Sequence, residues 1–311
     1  MPTQGFLTFE SFFDAVRHAS LRATLLGRDR GDWALSHLIA NNVSVQWGQA
    51  GGKAVVEGAT RPGGISIFLQ TQGAPSFSGN GHRFDQLSLM VVGPREEFCL
   101  AADASSRRWC SLYIPNEKLA HENGDTTTAV TSMRGVFQLP PQRIERFRSV
   151  IEQLDQTVQQ APAAFDSAAS QRAAEQKLVC EIRDVLATPR EVEHALGRHT
   201  VPRSQIIGMS MDFVDQHDGE HLSVEQLAVA AGVSERTLRD AFQQYFGLAP
   251  VRYLNRRTLH QVRAALKSAD PSRATVTEIA TQFGVWQFGR FARDYRFLFR
   301  EFPSETLRHQ R

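Results

Sequence analysis

Ser223-Val224-Glu225-Gln226-Leu227-Ala228 is answered about fifty positions later by Thr275-Val276-Thr277-Glu278-Ile279-Ala280, and Gly232-Val233 by Gly284-Val285. After one extra residue the correspondence resumes: Leu238, Phe242, Phe246 and Pro250 match Phe291, Tyr295, Phe299 and Pro303 at identical spacing. Such a repeat is one supersecondary unit used twice. Ser223-x-x-Gln226 and Thr275-x-x-Glu278 are capping boxes, so each copy starts a helix at the same place. Gly232 and Gly284 fall where that helix must stop and the chain reverse, a position favouring φ > 0. Leu238 with Phe242, and Phe291 with Tyr295, give the following helix one apolar stripe and leave its other faces polar. Helix, glycine turn and helix is the helix-turn-helix pattern, whose second helix can enter a DNA major groove.

The apolar stripe fixes what is left outward. In the first copy, after the cap Ser234, the outward set is Glu235, Arg236, Arg239, Asp240 and Gln243. In the second it is Gln287, Phe288, Arg290, Ala292 and Arg293, with Arg296 and Arg300 as phosphate contacts or a solvated face. Arginine suits guanine O6 and N7, and aspartate can accept from cytosine N4. Asp240 either reads a base or pairs with Arg236 four residues earlier and orients it. Phe288 either meets a thymine methyl or packs on neighbouring helices.

The 311 residues suggest two domains. Lys+Arg 35 against Asp+Glu 33 gives a net +2, but the bases concentrate beyond Arg252, a local surface of the kind that draws phosphate. Three cysteines, Cys99, Cys110 and Cys180, show no metal-ligand spacing and suggest reduced thiols. No apolar run approaches the length of a membrane span, and the N-terminus lacks the order of a signal peptide, so the expected location is the cytoplasm.

Towards the N-terminus, Phe9, Phe12, Phe13 and Val16 lie at helical spacing after Thr8, a cap. Short alternating apolar runs follow: 34–39, 43–47, 53–56, 65–69, 87–92, 97–101 and 109–114, with turns at Gly51-Gly52, Gly63-Gly64 and Gly79-Asn80-Gly81. They predict a small β-barrel or sandwich over about 30–115, able to hold one small ligand. From about 140 to 196 the pattern turns helical, with one stripe of Ile144, Phe147, Val150, Ile151, Leu154 and Val158 and another of Leu178, Val179, Ile182, Val185 and Leu186. These stripes either cover the barrel and each other or form a dimer seam. We favour the seam, because pairing reinforces DNA recognition. Residues 197–203 form the linker, and Ser204 opens a helix carrying Ile206, Ile207, Met211 and Val214. Pro250 starts a longer helix with Val251, Leu254, Leu259, Val262 and Leu266 expected inside. If rigid, it holds the two reading helices near the ~34 Å separating successive major-groove faces.

Residues 204–308 resemble the DNA-binding domain of the AraC/XylS family. The carriers are 222–228, Gly232-Val233-Ser234, Leu238 with Phe242, Phe246-Gly247-Leu248-Ala249-Pro250, Arg256-Arg257 through Leu266, 276–280 and 291–303. The resemblance implies a seven-helix domain with two helix-turn-helix units, and Arg236, Arg239 and Asp240 match motif positions that meet base edges. This sequence departs from the pattern at Val285, where an aromatic is usual, at Gln287, where a small cap is common, at Val262 and at Arg300, which replaces a glycine. The strand pattern is similar to the cupin-like effector domains that accompany this module, including those of EutR-like regulators.

The expected class is therefore α+β: a sensor and dimerisation domain over 1–200, a cupin-like barrel with flanking helices, then an all-α DNA-binding domain over 201–311. The expected DNA-binding residues are Arg236, Arg239, Asp240, Gln243, Gln287, Phe288, Arg290, Arg293 and Arg296. The expected partners are double-stranded DNA at adjacent major grooves, a small-molecule effector and a second copy of the chain, with RNA polymerase as a further candidate; no membrane, cofactor, metal or enzymatic activity is expected. His37, His82, His121 and His194 lack the paired spacing of a metal-dependent cupin enzyme. Arg61, His82, Trp33, Trp47, Trp109 and Tyr113 are candidates to line a pocket, with no ligand contact assigned to any. Bound iron or zinc would instead favour an enzyme fused to a DNA-binding domain. Footprints without sequence preference, unaltered by metabolites, would favour a ligand-independent adaptor.

Overall fold

A computed structural model describes residues 1–17, 19–73, 77–103, 107–119, 133–187, 190–191, 202–217 and 222–308. The chain divides into two compact units, one comprising Met1–Ala23, Arg30–Gly51 and Val56–His194, the other Thr24–Asp29, Gly52–Val55 and Ala195–Arg311.

The strands fall into two sheets. The larger contains β1 (Gln4–Phe6), β3 (Trp33–Ala40), β4 (Val43–Ala50), β6 (Gly64–Gln72), β9 (Ser88–Val92), β11 (Arg107–Pro115), β12 (Gly135–Gln138) and β13 (Arg190–Glu191). Their order is β1-β3-β4-β11-β6-β9-β12-β13. The smaller sheet contains β2 (Ala19–Leu25), β5 (Ala54–Thr60), β7 (Phe77–Gly79), β8 (His82–Arg83) and β10 (Glu97–Ala102), in the order β2-β5-β10-β7-β8. The α+β class holds, and of the barrel or sandwich expected here the strands form two separate sheets, neither closed into a barrel. The larger sheet ends in β1 and β13, of three and two residues, and such short edges offer few groups for closure.

Period-two alternation assigns the faces of the larger sheet. Val43, Val45 and Trp47 of β4, Ile65, Ile67 and Leu69 of β6, and Cys110, Leu112 and Ile114 of β11 join one buried cluster. Helices α3 (Pro141–Gln160) and α4 (Ala168–Leu186) add Ile144, Phe147, Ile151, Val158, Leu178, Val179, Ile182, Val185 and Leu186 to that cluster. The stripes favoured as a dimer seam are therefore internal, because they meet the apolar face of the sheet and join its buried cluster. The intervening side chains of the sheet, among them Trp109 and Phe68, stack at 5.7 Å on the other face. Gly48 faces Trp109 there: a Cβ at Gly48 would lie 2.2 Å from the indole, so only glycine fits.

The predicted strands all form, most of them longer than expected though the strand expected over 87–92 begins at Ser88, and β1, β2, β7, β8, β12 and β13 join them. Asn80 and Gly81, at φ +49° and +81°, make the tight turn between β7 and β8. Helix α1 (Phe9–Ala15) begins at Thr8, whose hydroxyl accepts from the Ser11 amide. Phe9 and Phe12 each lie 5.3 Å from Trp33. A single-turn α2 (Asn116–Leu119) follows β11.

The second unit contains seven described helices: α5 (Arg203–Gln216), α6 (Val224–Ala230), α7 (Glu235–Phe246), α8 (Pro250–Ser268), α9 (Val276–Gln282), α10 (Phe288–Phe299) and α11 (Pro303–Arg308). Most of the expected linker lies outside the described residues, and α5 starts at Arg203 with Ile206, Ile207, Met211 and Val214 buried. In α8, Leu259, Val262 and Leu266 are buried as expected, but Val251 is 51 % exposed and Leu254 only half-buried. Tyr253 takes the inward place, because its ring stacks on Phe246 at 4.1 Å and 13° and covers more area than Val251 could.

Candidate nucleic-acid interface

Both turns are built as the caps and glycines require. Ser223 Oγ accepts from the Gln226 amide at 3.1 Å while Gln226 Oε1 accepts from the Ser223 amide at 2.8 Å. Thr275 Oγ1 accepts from the Glu278 amide at 3.2 Å, and Glu278 Oε2 accepts from the Thr275 amide at 2.9 Å and its hydroxyl at 2.8 Å. These bonds hold the Glu278 carboxyl below the usual glutamate range. Gly232 and Gly284 take φ of +64° and +71°. Beyond the first, the Ser234 hydroxyl accepts from the Thr237 amide at 3.2 Å and starts α7.

The inward face of α7 is Leu238, Ala241, Phe242, Tyr245 and Phe246; that of α10 is Phe291, Tyr295, Leu298 and Phe299. All nine residues expected to meet DNA are exposed: Arg236, Arg239, Asp240 and Gln243 on the first helix, and Gln287, Phe288, Arg290, Arg293 and Arg296 at or along the second. Ala292 of the outward set is half-buried. Among the described residues, the ion pair on α7 joins Arg239 to Glu235, so Asp240 is not held by Arg236. On α10, Asp294 lies 3.6 Å from Arg290 Nε and 3.8 Å from Arg293 Nε. Arg296 places its guanidinium 4.4 Å from the Phe302 ring centroid, a cation–π contact.

The two reading helices differ at their ends. Gln287 precedes α10 without a side-chain cap, as its size predicts, whereas Ser234 caps α7. Both helices close on a left-handed residue, Gly247 at φ +62° and Arg300 at φ +64°. Three features went unread in the sequence. Asp294 is the shared neighbour of two arginines, and i,i+4 spacing from Arg290 was the available signal. Trp286, two residues before α10, is 73 % exposed. Arg257 and Arg263 of α8 are buried, and nothing in a helical repeat of positions distinguishes them from solvated arginines.

The six residues proposed as pocket-lining are not brought to one place. Trp33 and Trp109 share a face of the larger sheet with Phe12 between them, at 5.3 and 6.4 Å. Trp47 lies on the opposite face in the cluster under α3 and α4. Tyr113 donates its hydroxyl to the Pro62 carbonyl at 2.9 Å, Arg61 is exposed and His82 half-buried. His37 is half-buried, and that burial lowers its pKa; His121 and His194 lie outside the described residues. Arg107, not singled out in the sequence, is 3 % exposed, with its guanidinium 5.0 Å from the Phe77 ring centroid. Burial draws its pKa down to about 10. Strand alternation, which puts Arg107 on the same face as Trp109, was the signal that could have found it. Among the described residues no group of three or more His, Cys, Asp or Glu side chains is placed to hold a metal ion, and no helix is long and apolar enough to cross a membrane.

The model of a helix-turn-helix domain family matches residues 227–309. The XylDLEGF operon transcriptional activator of Pseudomonas putida is 31 % identical over 148 residues, 42 % of this chain and 46 % of that protein. The probable thc operon regulatory protein of Rhodococcus erythropolis is 39 % identical over 103 residues, 33 % of this chain and 31 % of the relative. The chain thus spans less than two thirds of the length of these two relatives. A solved structure described as a probable AraC family transcriptional regulator from Rhodopseudomonas palustris is 32 % identical, with 34 % of this chain and 97 % of that chain covered and a TM-score of 0.32. The AraC-like transcriptional activator CuxR is 11 % identical, with 78 % and 86 % covered and a TM-score of 0.40.

Proposed function

We propose that this chain, whose residues 227–309 match a helix-turn-helix domain family, is a sequence-specific transcription regulator of the AraC/XylS family whose DNA binding is controlled by a small molecule. The observation that carries the reading is the duplicated geometry: α7 and α10 are both twelve residues long, both bury one aromatic stripe and both turn charged side chains outward. One side chain per base edge is enough for discrimination of roughly 1–3 kcal/mol, and two helices on one scaffold address adjacent major grooves.

In this reading Arg236, Arg239, Asp240 and Gln243 read bases in one groove. Gln287, Phe288, Arg290 and Arg293 serve the second, with Asp294 orienting the two arginines and Arg296 meeting phosphate. Residues 1–200 act as sensor and dimerisation region, and 201–311 as the DNA-binding domain. The effector binds within the first unit and acts by binding one arrangement of the dimer better than the other. The dimer forms through a surface other than the stripes of α3 and α4, which are occupied. RNA polymerase at the promoter is the further partner, and the cytoplasm the compartment.

Genomic footprinting with the full chain tests the proposal. Recurrent sites with two half-sites about one helical turn apart are expected, and protection without sequence preference would overturn it. Candidate metabolites from the genes beside those sites are then titrated while tryptophan emission is followed.

A further inference from the structure

Helix α8 carries two buried arginines, Arg257 at 8 % and Arg263 at 6 % exposure. Six positions on a helix are about 600° of rotation, so the two guanidinium groups leave α8 on different sides. Arg257 pairs with Asp215 at the end of α5, in the support of the first helix-turn-helix. Arg263 pairs with Glu301, just beyond α10, and lies 4.4 Å from the Phe299 ring centroid and 6.0 Å from that of Tyr295. Glu301 Oε1 also accepts from the Thr306 hydroxyl at 2.6 Å, and that hydroxyl stands 2.8 Å from the Tyr295 phenol oxygen. Burial pushes the Tyr295 phenol up to about 12, so it stays neutral within this cluster.

Tyr295 and Phe299 are the inward stripe of α10, and Arg290 and Arg293 leave the same helix on its exposed side. Whatever turns the inward stripe about the helix axis turns the outward arginines by the same angle. An apolar side chain at 263 would fill the space, but it would let the rings slide; a flat guanidinium fixed by Glu301 and lying over Phe299 specifies one angle.

We propose that Arg263, clasped by Glu301 and stacked on Phe299, is a positioning residue that sets the orientation of α10 on α8, and through it the half-site spacing the protein accepts. The inference rests on the DNA-reading function proposed above. Inserting one base pair between half-sites turns the second by about 34° about the DNA axis. A rigidly held α10 cannot follow that turn, and a loosened one can.

The test uses the full chain in two measurements. In the first, DNA affinity is measured on probes with the footprinted spacing and with one base pair inserted between the half-sites. The wild type should lose roughly tenfold or more on insertion, a penalty of the size of a lost base contact. Arg263→Leu should keep protection of the half-site read by α7, lose affinity at the second, and show an insertion penalty reduced to about threefold or less. Arg263→Lys, which keeps the charge but not the planar stack, should fall between. In the second measurement, without DNA, Arg263→Leu should speed amide exchange across α10 by about tenfold and leave α7 unchanged. If Arg263→Leu does not fold, Glu301→Gln is carried through both measurements with the same expected direction. An undiminished insertion penalty, equal loss at both half-sites, or unchanged exchange in α10 would each overturn the proposal. Wild-type protein that binds no paired half-sites would overturn the DNA-reading function instead, and the exchange measurement would still decide the clasp.

Discussion

Gly247 and Arg300 hold equivalent places: each ends a twelve-residue reading helix, and each turns the chain in the left-handed region, at φ +62° and +64°. Glycine adopts that conformation freely, while a residue with a Cβ meets its own carbonyl there at a cost of about 1–2 kcal/mol. The helix end is kept because Arg300 donates its amide to the Arg296 carbonyl and the chain must turn towards α11. Arg300→Gly is therefore expected to raise stability by about 0.5–1 kcal/mol. Calorimetry of the full chain checks it, and an unchanged or lowered transition would show that Arg300 is not strained.

The other end of α10 offers the complementary change. Ser234 accepts an amide of the first turn of α7 and Gln287 accepts none at α10. Gln287→Ser should gain and Ser234→Ala should lose about 1 kcal/mol. Protection of the first-turn amides of each helix from exchange reports the two effects separately.

The two capping boxes differ in charge. Glu278 is ionised and bonded to Thr275, which lowers its folded pKa, whereas Gln226 in the same role is neutral. A depressed folded pKa contributes stability that is present above the unfolded value of about 4.3 and disappears as pH falls through the lowered one. Acid should thus fray α9 and leave α6 intact. Amide exchange at Thr275 and Ser223, followed from neutral pH down to about 3, is expected to diverge, and Glu278→Gln should remove the divergence.

Arg239 is the proposed base-reading residue most open to test, since it would have to leave Glu235 on binding and an exposed pair of that kind contributes at most about 1 kcal/mol. Arg239→Ala should weaken the cognate site by roughly 1–3 kcal/mol and relax preference at one base pair. A loss uniform across sequences, with a shallower salt dependence, would reassign Arg239 to phosphate.

The helix-turn-helix units were legible before folding because they follow from short-range rules. Capping boxes, the glycines at 232 and 284 and the stripes Leu238–Phe242 and Phe291–Tyr295 act within a turn or two of the chain. They fix where each helix starts, where it ends and which side is buried. The weak cap at Gln287 and the strained Arg300 were visible for the same reason. Tertiary structure alone decided which partner each face met. Val251, expected inside α8, gave that place to Tyr253 once Phe246 stood beside the helix. Trp47 and Trp109 were two tryptophans in strands until pairing put them on opposite faces, one under α3 and α4 and the other against Phe68. The stripes of α3 and α4 carried no mark distinguishing a sheet from a second chain as their cover. Arg263 looked like any basic residue of a solvated helix, because its burial depends on Phe299 and Glu301, brought to it from more than thirty residues away by the packing of α8, α10 and α11.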